Sequence, residues 1–190
     1  MNELSREQWL EQRRHHIGAS EVAAIIGVSP FADALSVWDS KVNGQKEQAD
    51  AADYLEFGRD MEEPIAKLYA KRSGRQVDNL GETTLQMHPY FPWLGATLDR
   101  RIEGCEKTPA PDNGPGALEI KNVGAPRFAP AEWTADNPEV LHHVIQNQIQ
   151  MACTGWMWGC VAGMFPRYQL PWFDLKRDDD LLNSIYPVPR

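Results

Sequence analysis

The stretch Ala117-Leu118-Glu119-Ile120-Lys121-Asn122-Val123 decides the fold of this 190-residue chain. Its apolar and charged side chains alternate, as they do in a β-strand that buries one face. Successive side chains of a strand point to opposite faces, so Leu118 and Ile120 are expected on one face and Glu119 and Lys121 on the other. A carboxylate and an ammonium therefore point into the same space.

A second strand, with an acidic residue of its own, precedes this one. It includes Gly95-Ala96-Thr97-Leu98-Asp99, and segment 104–116, with its Gly and Pro residues, is typical of a hairpin-like loop between the two strands. If the strands are hairpin neighbours, Asp99 and Glu119 converge. Two such carboxylates repel unless a cation lies between them, and their oxygens are ligands that Mg²⁺ prefers, so a two-carboxylate magnesium site is predicted. A Glu-x-Lys motif by itself also fits an ordinary ion pair on a solvated strand face.

The elements around these strands alternate between helical and extended patterns. Capping residues and apolar spacing predict helices over 5–15 (capped by Ser5), 21–26 (capped by Ser20), 32–42, 52–72 (kinked or restarted at Pro64), 139–154 and 178–185. Short apolar segments between Gly and Pro clusters predict strands over 82–87, 94–102, 117–123, 157–165 and 168–173. This order favours an α/β (α+β) fold in which helices flank a central mixed β-sheet, as one domain over residues 1–190.

The composition excludes several classes of protein. With 42% apolar residues and only 14 Gly and 14 Pro, the chain is neither disordered nor collagen-like. No run approaches the roughly 20 apolar residues of a membrane span and no export signal is expected at the start, so a cytoplasmic protein with no membrane partner is predicted. Three cysteines without a Cys-x-x-Cys pair favour neither disulfides nor zinc. The net charge of −8 argues against a nucleic-acid partner unless basic groups are concentrated locally.

Two helices carry polar residues beside their apolar stripes. Glu62 lies at the edge of the stripe of the fourth helix, where a carboxylate needs a partner, whereas Glu63 falls on the outer face. In the helix over 139–154, Gln148 lies within the apolar face, and Gln146 lies on another side with the pair His142-His143. Each of these residues also fits a structural role, as a solvated helix flank or a satisfied core amide.

The start of the chain offers a possible phosphate site. A helix N-terminus presents unpaired backbone N–H groups, so Ser20 at such a terminus and Arg13 nearby could bind a phosphate. The alternative is a plain capping serine and a surface arginine.

Taken in order, these residues resemble the motifs of the phage lambda exonuclease family, often called alkaline exonucleases, within the PD-(D/E)XK nuclease superfamily. The resemblance runs from about Trp9 to Gly155. The matching segments are Trp9 … Arg13 … Ile17-Gly18-Ala19-Ser20, Gly58-Arg59-Asp60-Met61-Glu62, Gly95-Ala96-Thr97-Leu98-Asp99, Leu118-Glu119-Ile120-Lys121 and Gln146-Asn147-Gln148.

The resemblance implies roles for these residues and a nuclease-like fold of a central mixed sheet flanked by helices. Asp99, Glu119 and the Ile120 carbonyl would hold Mg²⁺, or Mn²⁺ in its place, as two ions per site. Glu62 would support the metal site, with Glu63 as the alternative, and Lys121 would orient and help deprotonate the attacking water. Arg13 and Ser20 would bind the DNA 5′-phosphate. The family's Gln-x-Gln motif favours Gln146 at the site, whereas the apolar stripe favours Gln148.

The resemblance also implies an activity and partners. Family members degrade one strand of linear double-stranded DNA from its 5′ end, release mononucleotides and leave a 3′ single strand for recombination. A homotrimeric ring, a single-strand annealing protein as partner, and a phage or prophage gene expressed in a bacterial host are implied in the same way. The alternatives are a PD-(D/E)XK endonuclease of restriction or junction-resolving type, or a non-catalytic DNA-binding module.

Overall fold

The computed structural model describes residues 6–44, 49–80 and 84–186 of the chain. Its helices are α1 (Arg6–Arg14), α2 (Ala19–Ile25), α3 (Ala34–Asn43), α4 (Ala49–Ser73), α5 (Leu141–Thr154) and α6 (Asp179–Ile185). Its strands are β1 (Ile17–Gly18), β2 (Val77–Asp78), β3 (Leu85–Met87), β4 (Leu94–Thr97), β5 (Arg100–Ile102), β6 (Gly116–Asn122), β7 (Trp158–Met164) and β8 (Trp172–Lys176). Short 3₁₀ turns lie at Pro130–Glu132, Pro138–Val140 and Pro166–Tyr168.

The strands form two mixed sheets flanked by helices, which confirms the predicted α+β class. A five-stranded sheet has the order β2-β5-β6-β7-β8, and only the central pair β6–β7 is parallel. A three-stranded sheet has the order β1-β4-β3, in which β1 is parallel and β3 antiparallel to β4. The five-stranded sheet is the predicted central mixed sheet, and the three-stranded sheet is an addition that the sequence did not indicate.

The division between the sheets falls inside the predicted strand 94–102. Its first part, β4, joins the small sheet, and its last part, β5, pairs with β6. At the break, Leu98 is buried and Asp99 turns toward β6, where its Oδ2 accepts a hydrogen bond of 2.7 Å from the Ile120 backbone N–H. This contact joins residues 21 positions apart, so local sequence patterns do not reveal it.

The two faces of β6 have the residues that the alternation predicts. Leu118 and Ile120 pack in a buried cluster with Ile65 and Tyr69 of α4. On the other face, Glu119 meets α5, which is the crossover between the parallel strands β6 and β7. β6 therefore has an apolar face that packs against α4 and a face with charged side chains that lies against α5.

Several predicted boundaries change. α4 continues without interruption through Pro64, and β8 begins at Trp172 rather than at residue 168. The predicted cap Ser5 and residues 82 and 83 of a predicted strand lie outside the described residues. The aromatic residues Trp133 and Phe173 complete a core cluster.

Among the helices that the structure describes, none combines the length and apolar composition that a membrane-spanning segment needs.

Candidate active site

The β5–β6 hairpin brings the two predicted carboxylates together. Arg100 pairs with Leu118 in the antiparallel register, which places Asp99 beside Ile120 and Glu119. Glu119 is fully buried. Burial, followed by the negative charge of Glu119, raises the pKa of Asp99 well above its ordinary value. The two acids therefore share one space, and the charge of Glu119 disfavours ionisation of Asp99.

Lys121 lies on the same face of β6 and forms an ion pair with Glu119. Burial acts to lower the pKa of Lys121, but the charges of Glu119 and Asp99 outweigh it, so that this pKa is raised. Lys121 is therefore an ammonium group at neutral pH. It offsets one of the two negative charges beside it.

A glutamine of α5 holds Glu119 from the other side. Gln150 Nε2 donates a hydrogen bond of 2.6 Å to Glu119 Oε2, and it also contacts the Thr97 carbonyl at 3.3 Å. Asn147 Nδ2 in turn donates to Gln150 Oε1 at 3.0 Å. This contact orients the Gln150 amide so that its N–H groups face the carboxylate.

The close approach of Asn147 to the sheet requires a glycine on β7. A Cβ atom at Gly159 would lie 2.1 Å from Asn147 Oδ1, which is far inside contact distance. Asn147 Nδ2 also donates to the Ala117 carbonyl at 3.1 Å. Any side chain at position 159 would therefore displace the residue that orients Gln150.

The two glutamines predicted for the site have different places. Gln148 faces away from the carboxylates: its Nε2 donates to the Lys176 carbonyl at 2.8 Å and its Oε1 accepts from the Asp178 N–H at 2.9 Å. The prediction for Gln148 is thus corrected to a structural role at the start of α6. Gln146 is half-buried, one helical turn before Gln150 on the same side of α5. That i, i+4 spacing was the signal that could have identified Gln150.

Of the two adjacent glutamates on α4, Glu62 is the one that acts on the carboxylate pair. Its charge helps to raise the pKa values of both Asp99 and Lys121. Glu63 is more exposed and pairs with Lys67 at 3.2 Å and with Arg100 at 3.0 Å. These pairs, with Lys67 first and Arg100 second, lower the pKa of Glu63. Of the two glutamates, Glu63 is thus the one that forms ion pairs near the surface.

The donor set fits a divalent cation held in part by non-protein ligands. Among the described residues, no three His, Cys, Asp or Glu side chains lie close enough to hold an ion by themselves. Asp99 and Glu119 nevertheless repel each other, and Glu119 Oε1 is a buried oxygen without a well-directed hydrogen bond in the described part of the chain. Carboxylate oxygens that repel each other, one of them without a well-directed hydrogen bond, are suitable ligands for Mg²⁺, which keeps several water ligands.

Two histidines at the start of α5 border the site. The rings of His142 and His143 lie 3.8 Å apart, and Phe31 contacts His142 at 5.4 Å. Burial, followed by the charge of Lys121, lowers the pKa of His142 to about 4 and that of His143 well below its ordinary value. Both rings are therefore neutral at pH 7. Both rings have aromatic neighbours, Phe31 for His142 and Trp133 for His143.

The predicted phosphate residues lie at the β1–α2 junction. Gly18, not Ser20, is the N-cap of α2, so the capping prediction for Ser20 is wrong; Ser20 is an exposed residue of the first turn. Arg13 Nη2 lies 3.9 Å from Glu21 Oε1. Lys41 of α3, which sequence analysis did not single out, lies 2.7 Å from Glu21 Oε2. Lys41 is 28 positions from Arg13, so only the tertiary structure brings these cations together.

Comparisons with known proteins agree with this architecture. The profile of the YqaJ-like viral recombinase domain matches residues 8–157. The uncharacterized protein YqaJ of Bacillus subtilis is 26% identical over 186 residues, or 97% of this chain and 54% of that protein, so the chain spans about half the length of this curated relative. The crystal structures of the alkaline exonuclease LHK-Exo from Laribacter hongkongensis, alone and in complex with dAMP, each match with a TM-score of 0.63 over 94% of this chain and 86% of theirs, at 24% and 25% identity. The resemblance to lambda exonuclease-like nucleases is thereby confirmed, and the chain belongs to the YqaJ-like viral recombinase domain family, within the PD-(D/E)XK superfamily.

Proposed function

We propose that this protein is a metal-dependent exonuclease that degrades one strand of linear double-stranded DNA from its 5′ end, releasing mononucleotides and leaving a 3′ single strand. The observation that carries the proposal is the convergence of Asp99, Glu119 and Lys121 on one polar face of the β5–β6 hairpin. Family membership and the alkaline exonuclease fold support it.

The proposed metal ligands are the carboxylates of Asp99 and Glu119 and the backbone carbonyl of Ile120, with Glu62 supporting them. When bound, Mg²⁺, or Mn²⁺ as a substitute, would supply positive charge that lowers the pKa of a ligated water and stabilises the leaving oxygen; two ions are proposed. Gln150 keeps Glu119 in place through its 2.6 Å hydrogen bond. Gln146 lies on the same side of α5 and is proposed to face the substrate.

Lys121 positions the attacking water and offsets the charge that develops at phosphorus. Because its pKa is raised, the ammonium form donates a hydrogen bond at neutral pH, and the amine form needed to accept a proton grows as the pH rises. We therefore expect the cleavage rate to increase toward alkaline pH.

Recognition of the DNA end is proposed for Arg13 and Ser20. Arg13, in the last turn of α1, reaches Glu21 of α2 with its side chain, and Ser20 is exposed in the first turn of α2. A guanidinium and a hydroxyl are suited to a terminal phosphate. This pocket is what separates an end-dependent exonuclease from an endonuclease of the same superfamily.

The test is digestion of three DNA substrates in Mg²⁺ and then in chelator: a linear duplex with 5′-phosphates, the same duplex with 5′-hydroxyls, and a closed circle. We expect rapid loss of the phosphorylated duplex, slower loss of the hydroxyl form, an intact circle, and no digestion in chelator. Lys121→Ala should abolish cleavage while folding and DNA binding are kept. Cleavage of the circle would instead indicate an endonuclease, and unchanged DNA in both Mg²⁺ and Mn²⁺ would indicate a non-catalytic DNA-binding module.

We also propose a homotrimeric ring around the DNA, action with a single-strand annealing protein, and a phage or prophage origin within a bacterial cytoplasm. A trimer has three times the chain mass of 21.5 kDa. Sedimentation equilibrium measures this mass directly, and a monomer would contradict the ring.

A further inference from the structure

We propose that Lys41 is a positioning residue for the 5′-terminal phosphate, and that Glu21 is the internal anion that holds Lys41 and Arg13 in place until a phosphate arrives. This inference rests on the proposed function. It adds a second cation, from a different helix, to the end-recognition site, and it assigns a role to the carboxylate between the cations.

The contacts of Glu21 define the site. Glu21 Oε2 accepts a hydrogen bond of 2.7 Å from the Gly18 backbone N–H and lies 2.7 Å from Lys41 Nζ, while Glu21 Oε1 lies 3.9 Å from Arg13 Nη2. One carboxylate is thus shared by an amide, an ammonium and a guanidinium. These are the three kinds of donor that bind phosphate oxygens in proteins.

Lys41 also fixes the backbone of the arginine. Its Nζ donates a hydrogen bond of 2.7 Å to the Arg13 carbonyl, which ties the end of α1 to α3. The Lys41 side chain is only 15% exposed and that of Glu21 only 14%, so both are held in place and only partly screened by water. Loss of Lys41 would therefore change both the charge at the site and the position of Arg13.

The charges of the cluster leave a surplus of one positive unit. Arg13 and Lys41 contribute two positive charges and Glu21 one negative charge. His16, which is buried beside them, adds none at neutral pH, because burial followed by the charges of Lys41 and Arg13 lowers its pKa. His16 Nε2 has no hydrogen-bond partner among the described residues. In a chain of net charge −8, this junction is locally suited to an anion.

A terminal phosphate competes with Glu21 for the same donors. It carries more charge and more acceptor oxygens than a carboxylate, so it gains more from Lys41 and Arg13. A 5′-hydroxyl end offers no anion at this position and leaves the Glu21 contacts unchanged. Lys41 should consequently contribute to the discrimination between the two kinds of end rather than to the chemical step.

The experiment compares wild type with Lys41→Gln, Lys41→Arg, Glu21→Gln and a matched control, Lys176→Gln. Lys176 is an exposed lysine paired with Asp112 at 3.7 Å, so its variant removes the same charge elsewhere. Two quantities are measured: the ratio of kcat/KM for 5′-phosphorylated over 5′-hydroxyl duplex in Mg²⁺, and the rise in Tm caused by inorganic phosphate in chelator.

We expect Lys41→Gln to lower kcat/KM for phosphorylated ends much more than for hydroxyl ends, so that the ratio falls at least tenfold, and to remove the Tm shift. Lys41→Arg should retain most of both effects and Lys176→Gln all of them. Glu21→Gln, which removes the competing charge, should give a larger Tm shift than wild type at the same phosphate concentration.

A folded Lys41→Gln variant with the wild-type ratio and Tm shift would overturn the inference, while the proposed exonuclease would stand. If Lys41→Gln does not fold, Glu21→Gln decides: an unchanged or smaller phosphate shift is the contrary result. A wild-type protein that digests no DNA would refute the proposed function, and the phosphate shift in chelator would still test the anion site.

Discussion

At the scale of single residues, the candidate site contains two carboxylates that repel each other. Asp99 and Glu119 lie together in a buried space, where the charge of Glu119 disfavours ionisation of Asp99, and Lys121 offsets only one of the two negative charges. Such an arrangement costs stability in the absence of a cation and makes the pair receptive to one. The metal binding proposed for Asp99 therefore opposes the stability of the fold.

The first prediction follows from the raised pKa of Asp99. A carboxyl whose folded-state pKa lies above its unfolded value favours folding at low pH, and this advantage is lost as the pH rises through the folded-state pKa. Asp99→Asn keeps an acceptor for the Ile120 N–H and removes the charge. In chelator at pH 7, its free energy of unfolding should therefore exceed that of wild type.

Urea denaturation at pH 7 and again near pH 4 measures this difference, which should shrink at the lower pH. Asp60→Asn, an exposed change on α4, is the control and should be neutral. An Asp99→Asn variant that is less stable than wild type at pH 7 would show that repulsion between Asp99 and Glu119 does not destabilise the fold.

The second prediction separates two glutamines of one helix. Gln150→Ala removes the donor to Glu119 Oε2, so the nuclease rate or the metal affinity should fall about 10- to 100-fold. Gln148→Ala is the matched control: it loses contacts with Lys176 and Asp178 and should lower the free energy of unfolding by about 1 kcal/mol at the wild-type rate. Initial rates at several Mg²⁺ concentrations test both, and equal rate losses would refute the assignment.

At the scale of elements, sequence analysis worked where periodicity is local. The alternation of 117–123 correctly predicted the two faces of β6, and the Gly and Pro residues of 104–116 correctly predicted the loop between β5 and β6. Sequence analysis failed where a contact with a residue distant in the sequence determines the structure. The division of strand 94–102 depends on the bond from Ile120 to Asp99, and the choice of Gln150 depends on how α5 sits on the sheet. The resemblance supplied the residue roles that no local pattern contains.

The third prediction concerns the junction of α4 with β8. Arg75, 2% exposed, lies over the Trp158 ring and makes two hydrogen bonds of 2.7 Å to Asp174, one to each carboxylate oxygen. Asp174→Ala would leave the buried guanidinium without its counter-ion. Because Arg75 is buried but Asp174 is partly exposed, the free energy of unfolding should therefore fall by about 2 kcal/mol, as for the loss of hydrogen bonds to a charged group.

Chemical denaturation measures this loss against Asp112→Ala, which breaks the surface contact with Lys176 and should cost less than about 0.5 kcal/mol. Equal effects of the two substitutions would show that Arg75 does not depend on its partner.

At the scale of the whole molecule, the net charge of −8 conceals an uneven distribution. Arg100 and Arg101, although near the site, are paired with acidic neighbours: Arg100 with Glu63, and Arg101 with Asp78. The cluster of Arg13, Lys41 and Glu21, by contrast, has one more positive than negative charge. The acidic run of residues 178–180 begins with Asp178, which caps α6 far along the chain. Local potential, not the sum, governs an encounter with DNA.

The fourth prediction is that DNA binding depends strongly on salt despite this acidity. Basic side chains that bind DNA phosphates release counterions, and this gain in free energy falls as the salt concentration rises. Binding should therefore weaken at least about tenfold between roughly 50 and 200 mM salt. Fluorescence anisotropy of a labelled 5′-phosphorylated duplex, with Lys121→Ala to prevent cleavage, measures the dependence. The neutralising variant Asp179→Asn, at an exposed position, should leave the slope unchanged; binding that is insensitive to salt would contradict an electrostatic encounter.

The parallel pairing of β6 with β7 has a consequence for how the molecule is built in time. Glu119 and Gly159 belong to adjacent strands, yet the whole crossover through α5 lies between them in the chain. The chain must close this long loop, at a cost in conformational entropy, before β6 and β7 can pair. Refolding is therefore expected to be slow and to begin in another part of the chain. We therefore expect the hydrogen bond from Gln150 to Glu119, which needs the crossover helix seated on β6, to form late, so that a newly made chain completes the proposed site only in the final steps of folding.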